Sequence, residues 1–405
     1  MHKPGILFVD DEPNILAGIQ RMLRSMRKEF DFFFAENGRQ ALDIMESENI
    51  IIIISDMRMP SMSGDELLLE IQQRFPQTIR MMLTGLADDQ AVMRTAGVVH
   101  QFLAKPCEPE KMQTILLRAG ALYSQITDGH LKSMISGLGK LPSLPAIYAR
   151  LQKVLANPDA DIDDVARVIE QDMAMTAKLL QLVNSSFFGL FQRVESPARA
   201  VKLLGLETVK MLVLGVQIFS EMKAKSHHLP LETLFQHSMA VAQCSKKIAL
   251  QATDDDELIN SCFLAGMVHD IGKLLLLTHM GSEYDTILEA VQTDEKALIN
   301  AELDTFKASH GDIGAYLIGL WGFSGDIVEA VAFHHAIEKY PGEGFSAALA
   351  VHLADCCYYE RYPEAVLGQA PQRADSYLER INLKEDAERW RQVAHEFYEN
   401  SENGV

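Results

Sequence analysis

The sequence is short of positive charge: 37 Lys and Arg stand against 56 Asp and Glu, for a formal net charge of −19. A protein that grips nucleic acid presents a basic face to the phosphates, so this deficit argues against a general nucleic-acid partner. It argues equally against a transcription factor with a basic recognition helix. Cysteine is scarce, with five in 405 residues. Cys356 and Cys357 are adjacent, and no pair has metal-site spacing. That usage suits thiols in a reducing cytoplasm, the expected location. No uninterrupted apolar run reaches about 18 residues, so no membrane-spanning helix and no membrane insertion are expected. Met1-His2-Lys3-Pro4-Gly5 leads straight into a short strand, so no signal peptide is expected. Repeats and low-complexity tracts are also missing. What remains is ordinary globular composition, 48% hydrophobic and 23% charged. A chain this long is expected to form two or three domains.

The first third is organised around Ile50-Ile51-Ile52-Ile53-Ile54, followed by Ser55-Asp56-Met57-Arg58. Five β-branched residues in a row leave no polar face, which predicts a central strand covered by helices on both sides. Ile6-Leu7-Phe8-Val9, Phe32-Phe33-Phe34, Ile79-Arg80-Met81-Met82-Leu83 and Gln101-Phe102-Leu103-Ala104 are predicted strands too, alternating with helical spacing. Five βα units in ~120 residues predict an α/β, doubly wound, five-stranded parallel sheet. Asp10, Asp11, Asp56, Thr84 and Lys105 then all fall at strand C-termini, on one edge of the sheet, where open α/β sheets bind ligands. Crowded carboxylates repel one another, and a hard Mg2+ ion relieves that repulsion. Lys105 adds positive charge, and the Thr84 hydroxyl can donate to a phosphoryl oxygen. The set can let one Asp attack phosphorus and hold the acyl phosphate that results.

This stretch closely resembles the receiver domain of two-component response regulators, from residue 5 to ~122. The resemblance implies phosphorylation of Asp56 by a partner histidine kinase or phosphotransfer protein. It makes Asp10 and Asp11 the acidic pair. Asp11, Asp56 and the Arg58 backbone carbonyl become the protein ligands of Mg2+. It makes Thr84 and Phe102 the switch residues and Lys105 the family lysine. Phosphate is then expected to draw Thr84 inward, rotate Phe102 and remodel the neighbouring face, a population shift biased by new charge. That face is also a candidate homodimer surface.

Beyond residue 122 strand patterns fade and amphipathic helices follow closely, which predicts an all-α region. The expected layout is a receiver domain at 1–122, a linker helix at 123–135, an all-helical output domain at 136–360 and a C-terminal helical extension at 361–405. Asn184-Ser185 reads as a helix cap rather than a ligand site. Within this region His237, His269-Asp270, His310, His334-His335 and Asp355 all fall on segments that read as helical. Single His and Asp residues from facing helices are how bundles build metal sites. One or two transition ions held this way can activate water against phosphate esters. Lys273, one turn after His269, can contact a phosphate. A second reading stays open, in which each histidine simply donates to a backbone carbonyl.

Leu141-Pro142-Ser143-Leu144-Pro145, Ala156-Asn157-Pro158-Asp159, Gln171-Asp172, Asn184-Ser185 and Gly189 resemble the HDOD domain. So do Leu204-Gly205-Leu206, Gly319-Leu320-Trp321-Gly322 and His334-His335. HDOD domains are relatives of the HD metal-dependent phosphohydrolases and generally serve as non-enzymatic signalling modules. The histidine and aspartate series is similar, in order, to the ligand pattern of HD and HD-GYP phosphodiesterases. Ala336 to Gly344 departs from the HD-GYP loop signature, which argues against cyclic di-GMP as substrate. The leading expectation is a response regulator whose helical module signals by contact with a downstream protein. The competing one is a phosphorylation-gated metal phosphohydrolase acting on cyclic di-GMP or another nucleotide.

Overall fold

The computed structural model describes residues 3–84, 98–105, 108–110, 112–117, 120, 146–155, 157, 160–183, 194–221, 226, 228–291, 295–362 and 374–402. The expected linker at 123–135 and the Asn184-Ser185 cap lie outside the described residues. Two compact units are present, one built on residues 1–156 and one on residues 157–318 with 323–405.

In the first unit β1 (Gly5–Val9), β2 (Asp31–Ala35), β3 (Ile50–Asp56), β4 (Ile79–Thr84) and β5 (Gln101–Ala104) form one sheet in the order β2-β1-β3-β4-β5. Every pairing is parallel. The helices α1 (Pro13–Met22), α2 (Gly38–Ser47) and α3 (Gly64–Arg74) provide crossovers, so the sheet is doubly wound as expected. All five isoleucines of β3 are buried, which explains why no polar position interrupts them. The order in which strands are added reverses between β1 and β3, and that switch point is where an open sheet leaves a crevice.

The second unit is all-α, also as expected. After α4 (Ala146–Leu155), which falls in the first unit's residue range, come α5 (Ile162–Glu170), α6 (Met173–Val183), α7 (Pro197–Leu204) and α8 (Leu206–Glu221). Asp161 caps α5, its side chain accepting from the Asp164 N–H while Asp164 reaches back. The chain continues through α9 (Leu231–Ala252), α10 (Asp256–Val268), α11 (Ile271–His279), α12 (Gly281–Val291) and α13 (Glu295–Phe306). Next are α14 (His310–Leu320), α15 (Gly325–Phe333), α16 (Ala347–Arg361), α17 (Asp375–Arg380) and α18 (Lys384–Glu402).

The stretch Asp256–His279 is long and apolar enough to cross a membrane, but 94% of its most apolar window is buried inside the protein. Its hydrophobicity is that of a core element surrounded by other helices. Helix α10 packs on α9, where a Cβ on Gly266 would lie 2.6 Å from the Ala242 Cα. Only glycine allows so close a crossing. Helix α18 packs on α9 and α16. It buries Trp390, Phe397 and Tyr398, while Val393 is only half-buried.

Candidate functional sites

Register places the first cluster. Val9 of β1 is paired with Ser55 of β3, so Asp10 and Asp56 each stand one step beyond a matched pair. Thr84 is paired with Ala104, and Lys105 follows directly. The Lys105 Nζ lies 2.8 Å from Asp10 Oδ2 and 2.5 Å from Asp56 Oδ1, bridging two strand ends. Asp10 is buried, and its other oxygen accepts from the Glu12 N–H at 3.0 Å. Asp56 Oδ2 accepts from the Arg58 N–H at 3.1 Å. Asp11, the next residue along the chain from Asp10, is half-buried. Burial by itself would lower the Lys105 ammonium, but its hydrogen bonds and attraction to Asp10 and Asp56 outweigh burial and raise it. Gly64, the first residue of α3, sits where a Cβ would collide with the Asp56 carbonyl oxygen. The helix can therefore start directly against the strand end that carries Asp56. Phe102 is half-buried and packs against the sheet core. Thr84 ends β4, and its side chain lies outside the described residues.

The second cluster brings together all seven of the His and Asp residues singled out in the helical region. The expectation that all of them sit on helices needs correction. His269 is the C-cap of α10 and Asp270 the N-cap of α11, so this pair occupies a junction between helices. His334-His335 likewise lies in the turn that ends α15. The cause is close backbone approach. A Cβ on Gly272 would collide with the His310 carbonyl oxygen, so the start of α11 is pressed against the start of α14. A continuous helix through 256–279 would not carry Asp270 to that contact.

Two groups of ligand-type atoms result: Asp270, His310, His334 and His335 in one, and His237, His269 and Asp355 in the other. Asp270 faces both. Its Oδ1 is 3.5 Å from His310 Nε2 and 3.7 Å from His334 Nε2. Its Oδ2 is 3.4 Å from His269 Nε2 and 3.1 Å from Lys273 Nζ. Asp355 Oδ1 is 3.2 Å from His237 Nε2, which lies 3.2 Å from His269 Nε2. His335 Nδ1 is 4.0 Å from Asp355 Oδ2. These side chains are buried, at 0 or 1% exposure apart from His335 at 8%.

Hydrogen bonds on the outer side orient the rings. The Nδ1–H groups of His269 and His334 donate to the carbonyls of Gly266 and Val331, each at 2.7 Å. The His310 Nδ1–H donates to Glu302 at 2.8 and 3.0 Å. A ring that donates from Nδ1 carries its lone pair on Nε2, and these three Nε2 atoms face inward. Donation to a carbonyl is thus present and coexists with ligand geometry at the same ring. Among the described residues, Asp270 Oδ1, both Asp355 oxygens and His334 Nε2 are buried without a hydrogen-bond partner. A buried set of lone pairs facing lone pairs repels itself unless a cation sits among them. The donor set, imidazole with carboxylate, fits a borderline transition ion.

The charges agree. Burial alone would raise Asp270, but His269 and Lys273 hold it well below the carboxylate range. Asp355 is likewise held low, against burial, by His237. Burial pushes His269 down to about 4, against the pull of Asp270 and Asp355. Both carboxylates are therefore anionic and His269 is neutral near pH 7, the states that bind metal.

Sequence reasoning missed Glu302, Tyr284 and His352. Glu302 belongs to no motif and lies on α13, outside the helices that supply the ligands. His352 donates from Nδ1 to the His334 carbonyl at 2.7 Å. It lies three residues before Asp355 on α16, a same-face spacing that was available as a signal. Behind His237, the Tyr358 ring stands at 4.5 Å. The Tyr398 hydroxyl of α18 donates to the Ala354 carbonyl at 3.0 Å, tying the last helix to the one that carries Asp355.

Residues 6–117 match the response regulator receiver domain and residues 141–337 the HDOD domain. The chain thus carries a response regulator receiver domain followed by an HDOD domain. Among solved structures, it is similar to an HDOD domain protein of unknown function from Geobacter sulfurreducens. That match is 26% identical with a TM-score of 0.52, covering 67% of this chain and 89% of the other. A signal transduction protein from Marinobacter aquaeolei VT8 is similar in fold, at 18% identity and a TM-score of 0.54 over 83% of this chain and 82% of that one. Among curated proteins, an uncharacterized Treponema pallidum protein is 27% identical over 52% of this chain and 40% of its own length. The response regulator PilR of Pseudomonas aeruginosa is 32% identical over 38% of this chain and 34% of its own. The chain thus spans less than half the length of these curated relatives. Asp355 and the helix that braces it lie beyond the HDOD match, which ends at residue 337.

Proposed function

We propose that Asp56 takes a phosphoryl group from a histidine kinase or phosphotransfer protein and that this controls the output of the HDOD region. The observation that carries the reading is Lys105, whose Nζ lies within 2.8 Å of both Asp10 and Asp56. A fixed cation at that point can neutralise charge developing on a transferred phosphoryl oxygen. Asp10, Asp11, Asp56 and the Arg58 carbonyl would hold Mg2+, which neutralises the rest. In this reading the HDOD region signals in the cytoplasm through a downstream protein, with homodimerisation through the face around Phe102. Incubation with Mg2+ and a small acyl phosphate tests it: wild type gains an acid-stable, base-labile phosphoryl group and Asp56→Ala gains none. Equal labelling of both proteins would refute Asp56 as the acceptor.

A second reading is favoured by the histidine cluster. His237, His269, Asp270, His310, His334, His335 and Asp355 would hold one or two transition ions, with Asp270 between them. Bound ions would supply Lewis acidity and an activated water for phosphate-ester hydrolysis. Lys273 would hold Asp270 in its ionised form and offer positive charge to a substrate phosphate. Elemental analysis of protein purified without chelator tests the site, followed by a nucleotide hydrolysis screen. One or two equivalents of transition metal support it, and none after metal-replete expression refutes it.

A further inference from the structure

We infer that Glu302, supported by Tyr284, is the positioning residue of the histidine cluster: it fixes the His310 ring so that Nε2 rather than Nδ1 is presented to Asp270. The inference rests on the metal-site reading and adds to it a residue outside the ligand set. Glu302 is fully buried on α13. One carboxylate oxygen accepts from the Tyr284 hydroxyl at 2.7 Å. The other accepts from the His310 backbone N–H at 2.8 Å, and both lie within 3.0 Å of His310 Nδ1.

A simple cap for α14 would need only the bond to the backbone N–H, which Asp, Ser or Asn supplies in most helices. Here the same carboxylate also takes the ring proton, so the helix start and the ring orientation are set together. His269 and His334 donate to neutral carbonyls instead. A carboxylate partner makes the opposite nitrogen more basic, so His310 is the strongest imidazole donor of the three. Tyr284 completes the design by fixing the carboxylate itself, since an ionised Glu buried with fewer donors would be costly.

The test compares Zn2+ and Mn2+ affinity, by competition with a chromophoric chelator, in wild type, Glu302→Gln and Tyr284→Phe. Loss of such an outer partner commonly costs about 10–100-fold in metal affinity, and that drop is expected for Glu302→Gln with an unchanged circular dichroism spectrum. Tyr284→Phe, which leaves the carboxylate, is expected to lose affinity in the same direction by a smaller factor. It decides the matter should Glu302→Gln fail to fold. Imidazole nitrogen NMR of the metal-free proteins gives a second readout. Wild-type His310 is expected to carry its proton on Nδ1, and Glu302→Gln to mix the two tautomers. Unchanged affinity and tautomer in a folded Glu302→Gln would overturn the inference and leave Glu302 a helix cap. Wild type that takes up neither ion refutes the metal reading instead, and the tautomer comparison then decides for or against Glu302 alone.

Discussion

The two clusters solve opposite problems with similar groups. At the sheet edge, carboxylates meet one lysine whose side chain is 27% exposed, and Asp56 keeps 14% of its side chain open. In the helical region, two carboxylates, five imidazoles and a lysine are almost wholly enclosed. A partly open site can exchange a group with a visiting protein, because desolvation there is incomplete and salt and water screen its charges. An enclosed site of lone pairs is stable only when neutralised from within, by Lys273 and, on the proposed metal-site reading, by a bound ion. On the proposed reading, exposure rather than residue type separates a site for transfer from a site for retention.

The largest expected effect follows from that enclosure. In a His269→Ala/Asp270→Ala double variant the anion 3.1 Å from the Lys273 ammonium is gone. Breaking a buried charge pair costs about 3–5 kcal/mol. Urea unfolding should show a loss of that order, with transition metal absent from the purified variant. Asp56→Ala, removing a half-buried carboxylate, should cost much less. Equal costs for the two variants would break the contrast.

The same contrast explains what could be read from sequence. The sheet-edge cluster was readable because strands are short, apolar and end abruptly, so a polar residue after each run has one place to go. Asp10, Asp56 and Lys105 meet for that reason alone. The histidine cluster was readable as a ligand series but not as a geometry. Residue order cannot show that Asp270 faces two groups, because that depends on α11 starting against α14 at Gly272. Glu302 was invisible because buried acceptors are specified by the third dimension. The break between α10 and α11 at His269-Asp270 was not legible, because the residues on both sides of it are apolar and read as helical.

Glycine gives the next test, since each site depends on one. Gly64 lies against the Asp56 carbonyl and Gly272 against the His310 carbonyl. Alanine at either position forces the backbone apart, and overpacking of this kind costs about 1–3 kcal/mol. Thermal unfolding should show a loss of that size for both Gly64→Ala and Gly272→Ala. Function should separate them: Gly64→Ala slows phosphoryl uptake at Asp56, and Gly272→Ala weakens metal binding. Loss of both functions in either variant would mean that the two sites are not independently built.

The last test concerns pH and differs in sign between the sites. In metal-free protein, His269 is pushed down to about 4 from an ordinary 6.5. The unfolded chain then binds the proton more readily than the folded one. Stability is full above pH 6.5 and falls as pH drops toward 4, a loss that bound metal should move to lower pH. Lys105 is raised above an ordinary 10.5. Its pairing with Asp10 and Asp56 stabilises the fold fully below that value and is lost only as pH rises through the raised one. Partial exposure limits the Lys105 contribution to about 1 kcal/mol or less. Lys105→Gln should therefore differ from wild type by a constant amount between pH 6 and 9, the gap closing only above about pH 10. A gap that persists after the lysine is deprotonated would show that Lys105 stabilises the fold by some route other than its charge.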